Sequence, residues 1–186
     1  MFSIKKLSQI YNKIYNEICD ISFFGRMLDN PYRQRVGYNK YESLTEQQWQ
    51  NLFDVCSVVH ANSHLFDMNY FHNINECGTT HCLAGWAVAI EMNDYRHTYI
   101  DYGNSAWLNL VEKYGLQGFP SSGDIARAML SEYIEPFFYL CRGMRTSENM
   151  ILHELILPMI AEGKKDGLIV SPHVQDFITK TINHQS

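Results

Sequence analysis

"NECGTTHCLAGWAVAIEM", residues 75–92, is the stretch that decides the fold. From Leu83 to Ile90 every residue is apolar or small. A helix without a wet face has to be enclosed on all sides. Ala84, Gly85, Ala87 and Ala89 leave neighbouring backbones room to come close. The segment therefore predicts a buried central helix over about 81–92, entered through a tight turn at Cys77-Gly78. The fold class that follows is mainly α, a single compact helical domain across residues 1–186. A length of 186 residues is enough for one sizeable core.

Helical patterns surround this segment. Ile4, Leu7, Tyr11, Ile14 and Ile18 recur at three- and four-residue steps and form one apolar stripe. Residues 22–44 hold no period and read as a long connection. Thr45 with Gln48 makes a capping box, and Trp49, Leu52, Phe53, Cys56 and Val59 supply the inward face of the next helix. Residues 96–102 read as a short strand or an extended loop. Asn104 or Ser105 opens a helix carrying Trp107, Leu110, Val111 and Tyr114 inward, and Gly115 ends it as a left-handed cap. Ser121 or Ser122 opens another. Pro158 has to kink or divide "TSENMILHELILPMIAEG" (146–163). Ser171-Pro172 begins a last helix with Val174, Phe177, Ile178 and Ile182 facing in.

Charge narrows the function classes. The net charge is −5, from 15 Lys+Arg against 20 Asp+Glu, and no basic face is legible, so nucleic acid is not an expected partner. No apolar run is long enough to cross a bilayer, and polar residues interrupt the amino-terminal stretch where a signal peptide would be continuous. Five cysteines are an odd and scattered set, which points to reduced thiols in the cytoplasm rather than a disulfide scaffold. No cofactor motif is present, and self-association is left open.

The chemistry concentrates at residues 77–82. The first N–H groups of a helix have no internal partners and sit at the positive end of its dipole. With Thr79 or Thr80 as cap and Gly78 giving close approach, backbone groups over Gly78–Cys82 suit a phosphate or carboxylate. Phe66, Tyr70 and Phe71, from the preceding segment, are the aromatics placed to cover a ring beside it. The same potential favours a thiolate, making Cys77 a candidate nucleophile with His81 or His97 as base. A third reading is a metal site. Cys56, His60 and His64 are spaced i, i+4, i+8, with His72, Cys77, His81 and Cys82 following, although no CxxC or HExxH pair appears. No metal is therefore assigned.

"FDMNYF" (66–71) followed by "CGTTHCLAGWAVA" (77–89) resembles a CGTxxCxAGWA-type signature of small bacterial and phage proteins. The likeness spans roughly residues 65–92. It implies a site around Cys77, Gly78, Thr79, Cys82, Gly85 and Trp86, and a phage or mobile-element setting. "ECG…CLA" also looks like the nucleophile segment of bacteriocin-processing cysteine peptidases. The spacing differs here, and the expected His-Val and Asp-Pro elements are missing in that form.

Three functions are thus expected in order. The first is a protein binding a small anionic, nucleotide-like ligand at the start of the central helix, with sequestration of a host immune signal as a natural task. The second is a hydrolase or transferase using Cys77. The third is a protein–protein inhibitor whose Cys-Gly-Thr turn is structural.

Overall fold

The computed structural model describes residues 3–19, 44–68, 72–75, 78–94, 105–138 and 146–183. The fold is mainly α. Its helices are α1 (Ile4–Cys19), α2 (Glu46–Ala61), α3 (Leu83–Met92), α4 (Ser105–Lys113), α5 (Ser122–Leu130), α6 (Glu135–Phe138), α7 (Thr146–Ile151), α8 (Leu157–Lys165) and α9 (Pro172–Asn183). A 3₁₀ turn at Ser63–Leu65 follows α2, and the strands β1 (His72–Asn75) and β2 (Gly78–His81) precede α3. The expected strand near 96–102 lies outside the described residues.

The apolar run behaves as its composition demands. Leu83 through Ile90 are all buried, with Leu83, Trp86, Val88 and Ala89 fully so. The helix begins two residues later than the sequence suggests, at Leu83. It stops at Asn93, whose φ of 51° is left-handed and whose N–H donates to the Ile90 carbonyl at 3.0 Å.

Helix α2 runs beside it and is nearly as enclosed. Thr45 caps it as expected: its hydroxyl accepts from the Gln48 N–H at 3.1 Å, while the Gln48 side chain accepts from the Thr45 N–H at 3.0 Å. The expected inward residues Trp49, Leu52, Phe53, Cys56 and Val59 are buried, and so are Val55, Val58 and Asp54. Its polar side chains tie other elements to it. The Trp49 indole N–H donates to Asp166 at 3.0 Å, the Gln50 amide to the Ile169 carbonyl at 2.9 Å, and the Asn51 amide to the Met129 carbonyl at 2.9 Å.

Asp54 makes the most consequential of these ties. Its carboxylate accepts from the Ser171 hydroxyl at 2.6 Å and from the Ser171 N–H at 3.0 Å. Ser171 stands immediately before α9, and its carbonyl in turn accepts from the Val174 and Gln175 N–H groups. A buried carboxylate in mid-helix thereby fixes where the last helix starts.

Pro158 divides its helix as expected, and the division has a definite form. Leu152–Ile156 is a π-helical segment joining α7 to α8. Proline has no N–H to give and its ring crowds the carbonyl four residues back. A wider turn before it accommodates both. Gly115, with φ 61°, ends the α4 region as expected, and Trp107 and Leu110 are buried against Val88 and Ile125. Val111 and Tyr114 are only partly buried. Ser121 caps α5 through a capping box with Asp124.

The stripe of α1 buries Leu7, Tyr11 and Ile14, and the Tyr11 ring meets the Phe137 ring edge-on at 5.5 Å. One expected core residue of α9 is not one: Ile182 is 49% exposed. The last turn runs past the rim of the core. There Thr181 is the buried residue, made tolerable by its hydroxyl donating to the Ile178 carbonyl at 2.8 Å.

Two stability outcomes follow from these contacts. A Cβ on Gly163 would lie 2.2 Å from Cδ2 of the buried Phe53 ring. Gly163→Ala is expected to destabilise the chain by about 1–3 kcal/mol through overpacking, despite the better helix propensity of alanine. Urea titration checks this. In a Phe53→Leu background the same change should become neutral or stabilising; equal losses in both backgrounds would contradict the contact. Asp54→Ala should cost about 3 kcal/mol, because hydrogen bonds to a charged group are lost and Ser171 is left without its acceptor. Ser171→Ala measured alone and combined with Asp54→Ala tests the pairing, since the two losses should be strongly non-additive.

Candidate functional site

The segment before α3 is a β-hairpin, not a cap followed by a helix. Strands β1 and β2 pair antiparallel with His72 opposite His81, Asn73 opposite Thr80, Ile74 opposite Thr79 and Asn75 opposite Gly78. Thr79 and Thr80 are therefore strand residues, which corrects their expected role as helix caps. The physical reason is their β-branching, which favours an extended backbone once a partner strand is available. Phe66 bridges His81 in parallel sense, and the Asp67 N–H donates to the His81 carbonyl at 3.0 Å. The chain from Asn62 to Met68 thus lies along the end of β2.

Cys82 is the extended residue from which α3 springs, with φ −76° and ψ 179°. It offers no side-chain cap. The Trp86 N–H is the first to bond within this helix, reaching the Cys82 carbonyl at 2.9 Å. The N–H groups of Leu83, Ala84 and Gly85 come before it. None of them meets a backbone carbonyl or a side-chain cap among the described residues. All three residues are buried. Helices α2 and α5 differ here, because both carry complete capping boxes. Buried N–H groups are nearly always paired in folded proteins, so such a start calls for a partner.

Trp86 adds a fourth donor. Side chains on a helix lean toward its amino end. In keeping with this, the Trp86 ring packs 4.6 Å from the ring of His81, which precedes the helix. On its other side the Phe177 ring meets it edge-on at 6.4 Å. Trp86 is 0% exposed, and its Nε1 has no hydrogen-bond partner among the described residues. Asn62 is likewise fully buried; its amide donates to the Val58 carbonyl at 3.0 Å while its Oδ1 has no partner among the described residues.

The expected site residues are distributed as follows. Gly78, Thr79 and Thr80 hold backbone positions in β2. His81, Cys82 and Trp86 are buried where β2 meets α3. Cys82 and Trp86 belong to the main core, as the apolar run from Leu83 implies. His81 is 0% exposed, which is a poor position for a base that exchanges protons with solvent. Tyr70, Phe71, Cys77 and His97 lie outside the described residues. Phe66, expected near the site, bridges His81, while Phe177, which packs on Trp86, was not legible as part of it.

The i, i+4, i+8 helical spacing considered for a metal is not kept, and Cys77 of the wider ligand set lies outside the described residues. Helix α2 ends at Ala61, so His64 falls on the 3₁₀ turn and not on a continued helical face. Cys56 is completely buried while His60 and His64 are exposed. No cluster of three His, Cys, Asp or Glu side chains suited to a metal occurs among the described residues. Burial pushes the Cys56 thiol well above its ordinary range, so it stays protonated at neutral pH.

Reactivity of the thiols should follow burial. Neither Cys56 nor Cys82 is in a disulfide, and both are buried. Iodoacetamide at pH 8 is expected to leave both unmodified in the native protein and to label both once urea unfolds it. Rapid native labelling of Cys82, read by peptide mass spectrometry, would contradict its placement.

Comparison with protein-family models, with curated proteins and with solved structures returns no match for this chain.

Proposed function

We propose that this protein is a binding protein that holds a small anionic, nucleotide-like ligand at the amino end of α3. The observation that carries this reading is the uncapped, buried start of that helix. Three peptide N–H groups and an indole N–H are held there without an acceptor among the described residues. An oxyanion is the partner such a donor set suits, and the helix dipole favours its charge. The hairpin delivers Gly78, Thr79 and Thr80 to the same end of the helix. Capturing a host-made signalling nucleotide is a task that such a donor set suits, and the likeness of residues 65–92 to bacterial and phage proteins supports that setting.

Catalysis by Cys77 is the competing chemistry, and one experiment separates the two. Protein purified from the producing cells is denatured, and the released small molecules are identified by mass spectrometry. Calorimetry then measures their rebinding to the wild type and to Cys77→Ser. A released anion that rebinds unchanged to both proteins supports capture. Conversion by the wild type alone, stopped by Cys77→Ser, would replace capture with a thiol-dependent reaction. Absence of any bound or rebinding anion would remove the proposal, and the Cys-Gly-Thr segment would then be structural.

A further inference from the structure

A cleft of about 540 Å³ opens between the start of α2 and the connection that follows α8, lined by Glu46, Gln47, Trp49, Gln50, Asp166 and Leu168. Glu46 and Asp166 supply carboxylates, and no lysine, arginine or histidine is among the described residues that line it. The Trp49 indole N–H donates to Asp166 Oδ2 at 3.0 Å, a bond from an uncharged donor that orients the carboxylate without neutralising it. The Gln50 NH2 group donates to Asp54 at 3.2 Å and to the Ile169 carbonyl at 2.9 Å, and the Gln47 NH2 group donates to Asn51 at 2.7 Å. What these two amides have left to offer is chiefly carbonyl oxygen. Lys164 and Lys165 are close in sequence, in the last turn of α8, but neither lines the cleft, and Lys165 is bound to Glu162 at 3.1 Å. The positive end of the α2 dipole is offset by Glu46 in its first turn, and Asp166 stands at the negative end of α8. The cleft is thus rich in acceptors from two helices.

An exposed apolar side chain stands beside it. Ile169 is 78% exposed, follows Leu168 in the chain, and has its carbonyl held by Gln50. A single exposed isoleucine is ordinary on its own. At the margin of an acceptor-lined cleft it adds an apolar contact that a free cation would not use. We infer that this cleft is a docking site for a partner polypeptide and takes an arginine side chain of that partner, with an apolar neighbour of the arginine resting on Ile169. Charge complementarity selects a cation. A guanidinium offers five N–H donors in a planar fork and no acceptor, so it can bond carboxylate and amide oxygens together, whereas an ammonium is a point charge with three donors. Its aliphatic stem can lie along Leu168 while the head reaches the acceptors. Among the described residues, no cluster of His, Cys, Asp or Glu suits a metal ion instead.

The test uses the full-length ¹⁵N-labelled protein and three probes: acetyl-Leu-Arg-Leu-amide, the same peptide with citrulline in place of arginine, and arginine amide alone. Citrulline keeps the shape and loses the charge. The arginine peptide is expected to move the Trp49 Nε1–H resonance and to bind about three- to tenfold more tightly than the citrulline peptide. Asp166→Asn keeps an acceptor for the indole, and Glu46→Gln changes an exposed position. Each should weaken the arginine peptide by about threefold or more and leave the citrulline peptide unchanged. Ile169→Ser should weaken both peptides alike and leave arginine amide unaffected. Equal binding of the two peptides would overturn the inference. So would binding that leaves the Trp49 resonance unmoved and ignores both acidic variants. No binding at millimolar peptide would also overturn it. Binding gained only when Arg33, Arg35 and Lys40 are replaced together by glutamine would assign the cleft to this chain's own basic residues and not to a partner.

Discussion

Eight consecutive apolar or small residues, Leu83 to Ile90, impose the constraint on which the remaining elements depend. A ten-residue helix of this composition has no face to give to water, so other elements must cover it all round. The pattern of burial follows. Helices α2 and α5 pack on it, Phe177 of α9 reaches its first turn, and Trp107 and Leu110 of α4 close over Val88. Small residues at Ala84, Gly85, Ala87 and Ala89 allow these approaches. The same enclosure shuts the helix start away from water, which turns an ordinary helix terminus into a set of buried donors.

Enclosure alone does not fix geometry, because apolar contacts are non-directional. Direction comes from the polar side chains of α2. Trp49, Gln50, Asn51 and Asp54 each bond an element distant in sequence, so the carboxyl end of α5, the connection after α8 and the start of α9 are all referenced to one helix. Burying Asp54 is costly in isolation and is offset by the two donors from Ser171. Gly163 lets α8 close on Phe53 of the same helix. The framework that holds α3 is thus apolar in bulk and polar at its joints.

Much of this fold was legible in advance because its signals are local. The Thr45–Gln48 box, the helix start at Ser121 or Ser122, the Gly115 cap, the break before Pro158 and the Ser171-Pro172 start each act within a turn or two of the chain. The hairpin was not legible. Four-residue strands have little periodicity, and Thr79-Thr80 before an apolar run reads equally as a cap or as a strand. Pairing with His72–Asn75 decides between the two, and pairing is a tertiary matter. The residues themselves point to the start of the central helix as the candidate site. That Ile182 is exposed and that Asn62 lies buried beside the 3₁₀ turn depend on where neighbouring elements end. No local pattern carries that information.

The start of α3 is where these considerations converge, because a buried helix end without a cap is stable only when something else supplies the acceptors. The most direct measurement is a crystal structure, at a resolution that separates individual atoms, of protein taken from its producing cells without refolding. Electron density of a foreign oxyanion is expected within about 2.7–3.2 Å of at least two of the Leu83, Ala84 and Gly85 nitrogens. A side chain of the protein itself closing those nitrogens, or ordered water alone beside them, would contradict the ligand-binding account and leave the segment as a structural joint.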